Sequence, residues 1–162
     1  MPAASGVTSF VIRSDVSIGS FAVRGDGSLG GAIAAFGRPA SLRRNPRQSE
    51  ACTARWSALG VLAGFYNLGG ADPCSPEGGR FSNARLTGAR WRTAAGLHIG
   101  DAASAIRRHH PRAEPSPREP GLWWLVTRTS PFGSGGQYGG LSAEVVRGRV
   151  SAFVVVYPAG GD

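Results

Sequence analysis

No stretch of this chain runs far without a glycine or a proline: of 162 residues, Gly accounts for 25 and Pro for 11. Glycine supplies the positive φ that turns need, and proline ends helices. A chain punctuated this densely is therefore confined to short helices and many short strands. Its length fits one domain, or two small halves that share a core. A chain of this size buries roughly 68–70% of the surface its unfolded form exposes. With 41% hydrophobic residues it can fold without a cofactor.

The punctuation divides the chain into legible pieces. Ser9–Arg13 and Gly19–Arg24 read as short strands around a polar turn, after a frayed start. Gly25-Asp26-Gly27 breaks the chain, and Ser28 then caps a helix through about Phe36, with Leu29, Ile33 and Phe36 at helical spacing. Gly37-Arg38-Pro39 stops that helix. Ala51–Leu68 reads as a strand pair kinked near Gly60, and Gly69–Gly79 as a loop. Phe81–Leu86 and Arg90–Thr93 are short strand candidates. Asp101 is placed to cap a second helix, Ala102–His109, which Pro111 ends. Ala113–Gly121 is a loop, Leu122–Thr127 a strand, and Pro131–Gly140 a flexible Gly-rich connection. Leu141–Val146 and Val150–Tyr157 form a last hairpin through Arg147-Gly148-Arg149.

Sliding the chain along itself so that Gly27-Ser28 falls on Gly100-Asp101 also brings Ala32 onto Ala105 and Ile33 onto Ile106. Each helix is followed by a Trp-bearing strand (Trp56; Trp123 or Trp124) and by further strands. The expected architecture is α+β: one domain, 1–162, of two tandem repeats, 10–90 and 91–160, each a short helix packed on an antiparallel β-sheet.

The segment Gly96-Leu97-His98-Ile99-Gly100-Asp101, followed by Ile106 and Pro111, resembles one found in secreted actinobacterial proteins of unknown function. Over about residues 20–157 the layout is similar to the tandem-repeat β-lactamase-inhibitory-protein-like fold and to small lipoproteins of outer-membrane assembly. The resemblance implies a helical segment on an antiparallel sheet in each half, and a role without catalysis. Ala102 stands where the pattern has Ser or Thr, and the cysteines lie in the first half alone. No inhibitory residue carries over, and β-lactamase inhibition is not implied.

The formal charge of +8 raises the question of nucleic acid, but all 18 basic residues are Arg. A chain without Lys, rich in Ala, Gly and Arg, bears the mark of a GC-rich genome. Its arginines are also dispersed along the sequence, with pairs at Arg43-Arg44 and Arg107-Arg108, whereas a phosphate-binding surface concentrates them. The expectation is a solvated basic surface and no nucleic-acid partner.

Cys52 and Cys74 have neither CxxC nor zinc spacing. The reading is a disulfide closing a loop of about 22 residues, contributing roughly 3 kcal/mol; two separate buried thiols are the alternative. A bond implies an oxidising compartment, extracellular or in the cell envelope. The start, Met1-Pro2-Ala3-Ala4-Ser5-Gly6, lacks the basic and apolar regions of an export signal. Either such a signal has been removed or the protein stays in the cytoplasm. No run approaches the 18 or more apolar residues of a membrane span.

Few residue sets could carry chemistry. Gly25-x-Gly27-x-x-Gly30 follows a strand and opens a helix, as a dinucleotide fingerprint does, with Glu50 about 20 residues further on. The helix is short and the chain does not alternate β and α, which argues against it. Arg24-Gly25-Asp26 reads as turn chemistry. His109-His110 lacks a third metal ligand and fits a cationic or capping role at a helix end. There is no Gly-x-Ser-x-Gly elbow and no carboxylate pair. No catalytic residue, metal site or cofactor is expected. On a strand, Trp123 and Trp124 point to opposite faces, so one can serve the core and the other a surface. With Arg128, Phe132 and Tyr138 they form the candidate binding surface, for a protein or carbohydrate ligand. The expectation is a monomeric, non-catalytic, secreted binding protein. The alternatives are a small hydrolase-like enzyme with a site built from distant residues, and a nucleotide-binding domain using Gly25–Gly30.

Overall fold

The computed structural model describes residues 9–132 and 136–158. The expectations for residues 1–8, for 133–135 in the Gly-rich connection and for 159–162 lie outside them. In chain order the elements are β1 (Val11–Arg13), β2 (Ser17–Ile18), β3 (Phe21–Ala22), α1 (Leu29–Phe36), β4 (Ser41–Asn45) and β5 (Gln48–Trp56). Then come β6 (Val61–Tyr66), β7 (Arg80–Leu86), β8 (Arg92–Thr93), a 3-10 turn (Ala103–Ala105) and α2 (Ile106–His109). β9 (Glu114–Pro115), β10 (Leu122–Thr129), β11 (Gln137–Val146) and β12 (Arg149–Val156) complete the described chain. The fold is α+β and mostly antiparallel.

Eight strands make one sheet in the order β4-β5-β6-β7-β12-β11-β10-β9, and four short ones make a second, β3-β2-β1-β8. β1 and β8 pair in parallel, so the start of the chain is stitched to the start of the second half. In the large sheet, directly opposed residues share a face. One row runs Trp56, Val61, Leu86, Phe153, Ala143, Trp123, and another runs Ala54, Ala63, Ala84, Val155, Leu141. Apart from the half-buried Trp123, these residues are buried in one core. Both helices pack on this face. Phe36 of α1 meets Trp56 edge-on at 5.3 Å, and Ile106 of α2 is fully buried.

Local signals decided α1. Ser28 Oγ accepts from the Gly31 N–H at 2.9 Å, and Gly37 closes the helix at φ 88°. The second helix departs from its sequence reading. It is a 3-10 turn followed by a single α turn, and its cap is Ala102, which offers no side-chain acceptor. Asp101 instead turns back, its Oδ2 accepting from the His98 N–H at 2.9 Å. β4 was not foreseen. Four of its five residues are exposed, so no apolar alternation marks it.

Cys52 and Cys74 are bonded. The bond secures the loop whose Gly79 and Pro76 carbonyls accept from the Leu29 and Gly30 N–H groups, each at 2.9 Å. The two helix starts are held alike. Leu29 donates to Gly79 and Phe81 to Gly27, while Ala103 donates to Gly148 and Val150 to Asp101. Arg80 Nη1 donates to the Asp26 carbonyl and Arg149 Nη1 to that of Gly100. This bonding matches Gly27 with Asp101, one residue further along than the sequence overlay.

Candidate functional site: the open face of the sheet

The face of the large sheet turned away from the helices carries the other half of each alternation. One ladder row crosses all eight strands: Ser41, Arg55, Leu62, Arg85, Val154, Ser142, Trp124, Glu114. A second row holds Arg43, Thr53, Gly64, Asn83 and Val156. Near the centre, Arg85 Nε bonds Glu144 Oε2 at 2.6 Å. Glu144 is opposite Ala152, beside Val154 on β12. The pair therefore spans β12 and ties the last strand of the first half to the second half.

Two hollows adjoin on this face and share Arg85 and Val154. The second-half hollow, about 640 Å³, is walled by Leu122, Trp124, Tyr138, Val154 and Val156 around the ion pair. The first-half hollow, about 570 Å³, is bounded by Leu62, Gly64, Tyr66 and Asn83. Volumes of this order accommodate a drug-sized ligand or several side chains of a partner.

The five residues expected to form one surface are divided. Trp124 lines the second-half hollow, whereas Tyr138, at its border, is opposite Arg128 and alternates with Gly139, so its side chain turns to the Arg128 side. Trp124 is only 7% exposed, because β11 passes close by; a Cβ on Gly139 would collide with its ring and with the Ser142 hydroxyl. Trp123 lies on the core face, with the Arg107 guanidinium 5.1 Å from its ring centre. The expected split of the two tryptophans thus follows from strand geometry. Phe132 is exposed after β10. Arg128 is drawn into a cluster that the sequence did not announce.

That cluster centres on Asp15. Its side chain has no exposed surface and accepts from Arg128 Nε and Nη2 at 2.9 and 2.8 Å, from Arg24 Nη2 at 2.9 Å and from Ser14 Oγ at 3.1 Å. Burial alone would raise the carboxyl, but the bonds and charges of Arg128 and Arg24 outweigh it and hold the group at about 2. The Asp15 hydrogen bond raises Arg128 in turn. Arg24 also stacks 4.6 Å from the Tyr157 ring centre. Nothing in the sequence singled out Asp15, which lies in what read as a polar turn.

The nucleotide reading loses its anion site. The first three N–H groups of α1 are donated to Gly79, Pro76 and Ser28, so protein acceptors occupy the place a pyrophosphate needs. A nucleophile and base meet at Thr93 Oγ1 and His110 Nε2, 2.8 Å apart. Thr93 is 1% exposed and also accepts from the Leu97 N–H, which makes the pair a buried brace. Burial, and then the neighbouring His109, lower His110, which favours the neutral ring in this contact. Among the described residues no group of three or more His, Cys, Asp or Glu is placed to hold a metal, and no helix is long and apolar enough to cross a membrane.

No protein-family model and no curated protein matches the sequence. Among solved structures, an extracellular protein containing an SCP domain from Bacillus anthracis str. Ames is similar at 10% identity, with a TM-score of 0.44. The likeness covers 81% of this chain and 43% of that one. The chain thus spans less than half of that protein, and so distant a likeness carries no functional argument.

Proposed function

We propose that the protein is a non-catalytic binding module that works outside the cytoplasm and meets a partner protein with the open face of its eight-stranded sheet. The observation that carries this reading is the ladder from Ser41 to Glu114, with Leu122, Val154, Val156 and the edge of the largely buried Trp124 set around the Arg85–Glu144 pair. Aromatic and aliphatic side chains beside a partly desolvated ion pair are the composition of a recognition surface. The breadth of the face favours a protein over a single sugar ring. The Cys52–Cys74 bond supports an oxidising compartment.

The same reading takes the halves as copies of one unit. It is supported by the matched bonds at Leu29 and Ala103, Phe81 and Val150, and Arg80 and Arg149. The strand order, which runs outward in the same sense from the β7–β12 junction, agrees with it. Each unit then contributes four strands to a sheet that neither half completes alone.

Capture from the producing organism's culture medium and envelope extract tests the function. Leu122→Asn with Val156→Asn should weaken recovery of a specific partner about tenfold or more. Ala34→Glu, exposed on the helix side, should leave it unchanged. Equal recovery by both variants would exclude the sheet face as the binding surface.

A further inference from the structure

The arginines of one sequence segment, Arg38 to Arg55, crowd one edge of the molecule. β4 ends the large sheet, so one side of its backbone has no neighbouring strand among the described residues. On and around the β4–β5 hairpin, Arg38, Arg43, Arg44, Arg47 and Arg55 are all exposed, and Glu50 is the acid among them. Asp72 neutralises Arg44. Among the described residues no ion pair holds Arg38, Arg43, Arg47 or Arg55. Arg43 is opposite Thr53 and Arg55 opposite Ser41, so the two arginines are diagonal neighbours on the open face. They flank a hollow of about 500 Å³ whose other walls include Ser41, Thr53 and Leu62.

An exposed strand edge is a template for another extended chain. Here the charges select which chain. A second copy of β4 would set Arg43 and Arg44 against their own kind, which is repulsive. A nucleic acid or anionic polysaccharide would satisfy the guanidiniums and leave the backbone edge unused. An acidic extended polypeptide satisfies both. We propose that β4 receives an acidic, extended segment of the partner protein as an added strand, with carboxylates set against Arg43 and Arg55. The inference rests on the sheet-face reading and names the chemistry of the partner at its basic end. Main-chain bonds along β4 supply affinity, and planar guanidiniums supply a preference for carboxylates.

The probe is a fluorescent peptide of alternating Glu and Val with blocked ends, read by anisotropy and by hydrogen exchange of the full chain. Arg43→Gln with Arg55→Gln should weaken binding about tenfold. The charge-matched pair Arg13→Gln with Arg112→Gln should change it less than about twofold. The amides of β4 should exchange more slowly when the peptide is bound. Equal loss in the two double variants, or unchanged exchange in β4, would overturn the inference. So would tighter binding of single-stranded DNA or a heparin fragment through the same arginines. Failure here with capture still dependent on Leu122 and Val156 removes the acidic segment alone. Capture indifferent to Leu122 and Val156 removes the sheet face itself.

Discussion

Asp15 stays ionised without any contact with water because two guanidiniums and a hydroxyl replace the hydration it has lost. It joins the first hairpin to β10, more than a hundred residues away in sequence. Its carboxyl lies at about 2, against an ordinary value of 3.8. Because the folded value is the lower one, the unfolded chain takes up the proton first. The stabilisation is complete above pH 3.8 and is lost as pH falls towards 2. The difference corresponds to about 2 kcal/mol. Asp15→Asn should cost about 2–3 kcal/mol in denaturant unfolding at neutral pH and remove most of this acid-limb loss. An unchanged acid limb in the variant would assign it to other carboxylates. None of this was legible in the sequence, since partners so far apart leave no local pattern. Trp123 and Trp124 were legible in part. Strand alternation separates them, but only the pairing with Ala143 and Ser142 says which one faces the helices.

At the scale of the element, the two helix starts show what a local signal can and cannot fix. Ser28 is extended, at φ −84° and ψ 155°, and its hydroxyl caps α1. Ala102 has nearly the same backbone, at φ −61° and ψ 146°, and no side chain to cap with. Asp101 looked like the cap because it precedes an apolar run, yet its carboxylate serves His98 in the turn before. Ala102→Ser should therefore stabilise the protein by about 1 kcal/mol in urea unfolding. No gain would mean that the second start is not equivalent to the first, and would weaken the repeat reading. α1, β5 and β6 were readable because burial imposes periodicity on them. β10 and the final hairpin were readable as apolar runs, although β11 begins at Gln137, inside the stretch read as a flexible connection. β4 escaped because it buries almost nothing and is defined by its backbone pairing with β5.

At the scale of the whole molecule, the halves meet at β7 and β12, and the Arg85–Glu144 pair crosses the same seam. The α+β class and the disulfide could be read from sequence, because glycine spacing and cysteine count act through local rules. The open face could not, since it depends on which strands become neighbours. Its proposed role as a binding surface rests on continuity: one face holds the core and both helices, and the other carries neither. The most direct test is site-specific photocrosslinking of the partner recovered from culture medium or envelope, with the photoreactive group at Val154 or Val156 on the open face and, separately, at Ala34 or Arg108 on the helix side. The account predicts crosslinked partner from the two open-face positions and none from the helix side. Crosslinks confined to Ala34 or Arg108 would contradict it.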